Sequence, residues 1–131
     1  MTIIVAYVPR PEGLAALEEG IRCATERKER LLVVNAGSGG SHDDPTLISG
    51  SDGDDLQRRL DASGLDAEYK QFIRGNSVVE EITELVEALK VSLVIIGLRK
   101  RSPVGKLILG SIAQDLLLNL PCPVLCVKGQ A

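Results

Sequence analysis

Short apolar runs recur along the chain, and between them the apolar residues fall three and four apart. Thr2 to Val8 (TIIVAYV) is β-branched and ends at Pro9, so it reads as a strand. From Pro11 to Thr25, Leu14, Leu17, Ile21 and Ala24 keep helical spacing. Leu31 to Ala36 (LLVVNA) reads as a second, buried strand. Gly37 to Gly53 holds few apolar residues and much Gly, Ser and Asp, and is expected to be a mobile loop. Asp54 to Ala62 predicts a short helix with Leu56 and Leu60 inward, and Gly64 stands where a helix C-terminal glycine belongs. Ala67 to Ile73 alternates in part, as an edge strand would.

The second half repeats the alternation. Ser77 and Glu80 make the S-x-x-E pattern of a capping box, opening a helix with Ile82, Leu85, Val86 and Leu89 on one face. Leu93 to Ile96 is a fourth strand that ends at Gly97. Ser111 and Gln114 suggest a second capping box before Leu116, Leu117 and Leu120, and Pro123 to Val127 is the last strand. Strand–helix alternation throughout predicts an α/β domain, with a mainly parallel sheet and helices on both faces. With 131 residues and no internal repeat, residues 1–131 are expected to be a single domain.

Composition narrows the function. A net charge of -3 gives no global basic field that would attract nucleic acid or an anionic membrane, so anion recognition must be local. Tyr7, Tyr69 and Phe72 are the only aromatic residues, too few for a base-stacking surface. No stretch is long enough to span a membrane, and the first residues lack the features of a signal peptide. Three cysteines without a C-x-x-C pair, together with one histidine, argue against structural zinc and suit a reducing, cytoplasmic setting. Cys122 and Cys126 lie four apart and read as small hydrophobes on one side of a strand.

The segment with chemical content is Leu93 to Ser111 (LVIIGLRKRSPVGKLILGS). A strand ends in a glycine, a loop carries Arg99, Lys100, Arg101 and Lys106, and Gly110-Ser111 open a helix. Open parallel sheets bind ligands at the carboxyl ends of their strands, and helix N-termini offer free N–H groups to phosphate. The plain alternative is a solvated basic loop with Ser111 as a helix cap.

The pattern G-x2-G-x9-G-[S/T] after the fourth strand, here Gly97, Lys100, Gly110 and Ser111, resembles the nucleotide-binding universal stress proteins. Pro121-Cys122-Pro123-Val124 is similar to that family's closing strand, and the element order matches along essentially the whole chain. The resemblance implies a Rossmann-like, five-stranded sheet of order 3-2-1-4-5 and a homodimer. It also implies an adenine nucleotide (ATP, AMP or cyclic AMP) bound by a stress-linked regulatory protein. Gly97, Arg99, Lys100, Gly110 and Ser111 would face phosphate and ribose, with Val8, Pro9 and Val34 on the base or sugar side. Two positions depart from the pattern: Lys100 replaces the second glycine, and Val8 stands where the ATP binders carry an aspartate. Lys100 either fills the phosphate space or supplies a cation to a smaller phosphate group. The second reading is therefore a dimeric protein-interaction module without nucleotide. A weak hydrolase ranks last, because no carboxylate or histidine is clearly placed as a general base.

Other motifs fail on inspection. Gly105-Lys106 lacks the first glycine and the final hydroxyl of a Walker loop. Ser38-Gly39-Gly40 reads as flexible loop, and His42 as an ordinary loop side chain without a nucleophile partner. Asp52, Asp54 and Asp55 suit an acidic helix start better than a calcium loop. Val124, Leu125, Cys126 and Val127 would make an apolar sheet edge, which invites antiparallel pairing with a second copy.

Overall fold

The computed structural model describes residues 1–36, 47–73, 76–99 and 110–129. Five strands alternate with four helices: β1 (Thr2–Ala6), α1 (Pro11–Arg27), β2 (Arg30–Ala36), α2 (Gly50–Ala62), β3 (Ala67–Phe72), α3 (Val78–Ala88), β4 (Val91–Leu98), α4 (Ser111–Asn119) and β5 (Val124–Lys128). They form one sheet of order β3-β2-β1-β4-β5, and every neighbouring pair is parallel. The expected α/β architecture and strand order are thus present.

Side-chain alternation along the strands builds two cores. Ile3, Val5, Leu31, Val33, Leu93 and Ile95 face one way and pack with Leu17 and Ala24 of α1 and Leu56 and Leu60 of α2. Ile4, Leu32, Val34, Val94 and Ile96 face the other way and meet Ile82 and Val86 of α3 and Leu116 of α4. A residue slip in any central strand would exchange the two sets, so this pattern fixes the register.

Several helix ends differ from the sequence reading. α2 begins at Gly50, four residues before the expected Asp54, because the Ser49 side chain accepts from the Asp52 N–H at 3.1 Å and stops the first turn from fraying. Residues 50–53 are therefore helix rather than loop, while 37–46, with Ser38 and His42, lie outside the described residues. The acidic cluster sits on α2, as a helix-start role requires, and among the described residues no group of side chains is placed to hold a metal. The α3 capping box forms as expected: Ser77 accepts from the Glu80 N–H, and Glu80 accepts from the Ser77 N–H. The α4 box does not form. Gly110, not Ser111, is the N-cap, and no side chain caps this helix. Leu117 of α4 is exposed rather than inward, because the nine-residue helix buries only Leu116 completely. Gly64 adopts a φ of 78°, the left-handed conformation expected after a helix. Among the described residues, no helix is long and apolar enough to cross a membrane.

The two sheet edges are unlike. β3 carries Glu68 and Lys70, and the Arg30 guanidinium donates to Glu68 at 2.8 Å. β5 presents Val124, Leu125, Cys126 and Val127, all half-buried. Cys122 precedes β5 rather than lying in it, yet it joins Cys126 in the core beneath α3 and α4. Cys23, Cys122 and Cys126 are free thiols, and burial pushes all three above their ordinary pKa, which suits packing more than reactivity.

Candidate functional site

The chain leaves β1 toward β2 and β3, then crosses back to lay β4 against the other side of β1. The connections from β1 and β4 therefore diverge, and the crevice at their carboxyl ends is the topological switch point of the sheet. Ala6 pairs with Ile96 at this end. Beyond it the chain turns tightly: the Arg10 N–H donates to the Val8 carbonyl across Pro9 at 2.8 Å, and α1 begins at Pro11. On the other strand Gly97 and Leu98 lead to exposed Arg99, and α4 begins after Gly110.

The two helices that flank the switch point share a feature the other two lack. Arg10 and Gly110, the N-caps of α1 and α4, make no side-chain cap hydrogen bond, whereas Ser49 and Ser77 cap α2 and α3. First-turn N–H groups without a side-chain acceptor need water or a ligand. The N-terminal end of a helix also carries partial positive charge. Arg10 and Arg99 stand at the same edge of the sheet, and neither makes an ion pair among the described residues.

Glycines press α1 onto this edge. A Cβ on Gly97 would overlap the Glu12 carbonyl and approach the Glu12 Cβ at 3.0 Å. A Cβ on Gly129 would lie 2.8 Å from the Glu12 Cα, and one on Gly13 would overlap the Val8 carbonyl. The missing side chain of Gly97 thus admits the first turn of α1, whatever else the residue touches. Gly110 differs, since a Cβ there would meet nothing within 4 Å.

The residues expected from sequence fall as follows. Gly97, Arg99, Gly110 and Ser111 all lie at the carboxyl end of β4 or the start of α4, and Gly110 and Ser111 are exposed. Lys100 lies outside the described residues. Val8 is half-buried and Pro9 exposed in the turn before α1. Val34 stands apart: its side chain is fully buried against the α3–α4 core, and its carbonyl accepts from the Tyr7 N–H. It meets no open crevice with its side chain.

Three groups escape the sequence reading. Asn35 is fully buried at the end of β2. Its Nδ2 donates to the Tyr7 carbonyl at 3.0 Å, and its Oδ1 accepts from the Ile48 N–H at 3.1 Å and from Gln71 Nε2 at 2.9 Å. Gln71 in turn donates to the Ile48 carbonyl. This network ties the ends of β1, β2 and β3 to the chain entering α2. The available sequence signal is parity: Asn35 shares the inward face with Leu31 and Val33. The second group is Tyr69, whose hydroxyl is sealed without a hydrogen-bond partner beneath Gly53 of α2. Burial, with Tyr7 nearby, pushes its pKa up to about 12. The third is Glu12, 7% exposed in the first turn of α1. Its signal is helical period, since Ala16 and Gly20, four and eight residues on, are buried on the same face.

An open parallel sheet whose switch point is flanked by two helix N-termini defines a Rossmann-like α/β fold. The universal stress protein family model matches residues 1–128, and the chain belongs to that family. A universal stress protein from Mycolicibacterium smegmatis is 41% identical over 126 residues, covering 96% of each chain. Among solved structures, a universal stress protein from Archaeoglobus fulgidus superposes with a TM-score of 0.78 at 26% identity, covering 97% of both chains. One from the same organism, in complex with dAMP, superposes at 0.72 with 19% identity, covering 97% of this chain and 96% of that one.

Proposed function

We propose that this protein binds an adenine nucleotide at the β1–β4 switch point and serves as a regulatory binding protein of the stress response. The observation that carries the reading is the pair of helices, α1 and α4, that converge there with no side chain capping them. Together with Arg10 and Arg99 they offer backbone N–H groups and positive charge to phosphate. Gly110 and Ser111 supply the α4 side, Gly97 the strand end beneath it, and Lys100 a further cation from the sequence between β4 and α4. Val8 and Pro9 bound the base or sugar side. Val34 contributes there only as support from within the core. Structures of the family in complex with dAMP, with cAMP and, from Arabidopsis thaliana, with AMP are consistent with such a ligand; they share 19%, 19% and 13% identity with this chain.

Calorimetric titration with AMP, cyclic AMP and ATP–magnesium tests the reading. Saturable binding of at least one of them in the micromolar range is expected. No heat and no thermal stabilisation at millimolar ligand would contradict it. The apolar β5 edge, as a surface for pairing with protein, would then be the better place to look for function.

A further inference from the structure

The hydroxyl of Tyr69 is sealed from water and makes no hydrogen bond. It lies beneath the first turn of α2: a Cβ on Gly53 would come 2.9 Å from Tyr69 Cε2 and 3.6 Å from the hydroxyl. A buried hydroxyl without a partner costs stability, and natural structures leave few of them. The turn above it is weakly held. Gly50 and Gly53 both stand in it, and glycine is a poor helix former. Of residues 49–55 only Gly53 is buried, so the turn commits no side chain to the core between Ile48 and Leu56. The rest of α2 is anchored. Leu56 and Leu60 are buried, and Gln57 Oε1 accepts from the Tyr69 N–H at 2.8 Å.

We propose that the first turn of α2 is a strap poised to open, latched by Asn35 at Ile48 and biased toward opening by the Tyr69 hydroxyl beneath it. Three contacts hold the strap closed. Asn35 Oδ1 accepts from the Ile48 N–H, Gln71 Nε2 donates to the Ile48 carbonyl, and the Ser49 side chain accepts from the Asp52 N–H. None of them satisfies the Tyr69 hydroxyl. Lifting the turn breaks a few helix hydrogen bonds, among them that of the Gly53 N–H to the Ser49 carbonyl, and hydrates the hydroxyl in exchange. Leu56, Gln57 and Leu60 stay in place, so the opening ends one turn into the helix and needs no unfolding of the sheet. Once open, the strap uncovers Tyr69 and its neighbour Tyr7, the residue that leads into the Val8–Pro9 turn at the switch point. This device is independent of the ligand that the switch point takes.

Native-state amide hydrogen exchange on the wild type and Tyr69→Phe tests the proposal, with urea unfolding of both alongside. In the wild type, Gly53 and Asp54 should exchange by local opening, well ahead of Ile4 and Val5 in the central strand. Tyr69→Phe removes the hydroxyl and keeps the ring. Exchange at Gly53 and Asp54 should then slow by about 5- to 100-fold, and the urea midpoint should rise. A higher midpoint with exchange at Gly53 unchanged would mean that the opening leaves the hydroxyl covered, and overturns the strap. Wild-type exchange at Gly53 as slow as that of Ile4 overturns it too, because the turn then opens only with the whole domain. An unchanged or lower midpoint in Tyr69→Phe would show that the hydroxyl is satisfied in the folded protein, which removes the bias toward opening and the proposal with it.

Discussion

Gly97→Ala should destabilise the ligand-free protein by about 2–3 kcal/mol, the upper part of the range for overpacking a tight site. The new methyl would overlap the carbonyl of Glu12, a backbone atom that no rotamer change can move aside. Relief requires the first turn of α1 to lift from the ends of β4 and β5, and Gly129 and Gly13 hold that turn from two further sides. Thermal unfolding should fall by roughly 10 °C for a domain of this size. Gly110→Ala is the matched control. Its Cβ enters open space at a φ of -68°, so its cost should stay within about 1 kcal/mol. The two glycines of one motif are thereby separated: the first is demanded by the fold, the second leaves room at a helix start. Equal apo stabilities of Gly97→Ala and wild type would show that α1 does not sit against β4 in this way.

The second large effect concerns Asn35. Asn35→Ala removes at least three hydrogen bonds from a site with no exposure, and leaves the Ile48 N–H and the Tyr7 carbonyl without this partner. Each stranded buried group costs about 1–3 kcal/mol, so a total loss of about 2–6 kcal/mol in urea unfolding is expected. The loss should be local in its first sign. Amide exchange at Ile48 should speed up well before exchange in β1 or β4, because Asn35 is what ties the start of α2 to the sheet. A cost below about 0.5 kcal/mol, or exchange that accelerates uniformly, would mean that water replaces the side chain without penalty.

Much of this molecule is legible in its sequence, for physical reasons that differ by element. The strands and their order follow from β-branched runs alternating with helical periods, since two faces of one parallel sheet must both be covered. The α3 capping box is legible because Ser77 and Glu80 are local partners, three residues apart. The α4 box misleads because the same spacing at Ser111 and Gln114 says nothing of where the helix starts; Gly110 takes the cap, and the hydroxyl falls one residue inside. Val34 lies toward the carboxyl end of β2, but strand parity turns its side chain into the α3–α4 core. Glu12 and Asn35 are hidden because charge and amide content suggest surface, and only the burial of their periodic neighbours reveals them. The packing role of Gly97 is not legible at all, since its contact is with a helix turn far earlier in the chain, at Glu12.

The central claim is that nucleotide sits where β1 and β4 part. Amide chemical-shift mapping with isotope-labelled protein and AMP tests it most directly. The account predicts that the largest shifts fall on residues 10–13 and 110–113, at the first turns of α1 and α4, with little change around α2 and α3. Shifts confined to another surface, or none at saturating AMP, would contradict it.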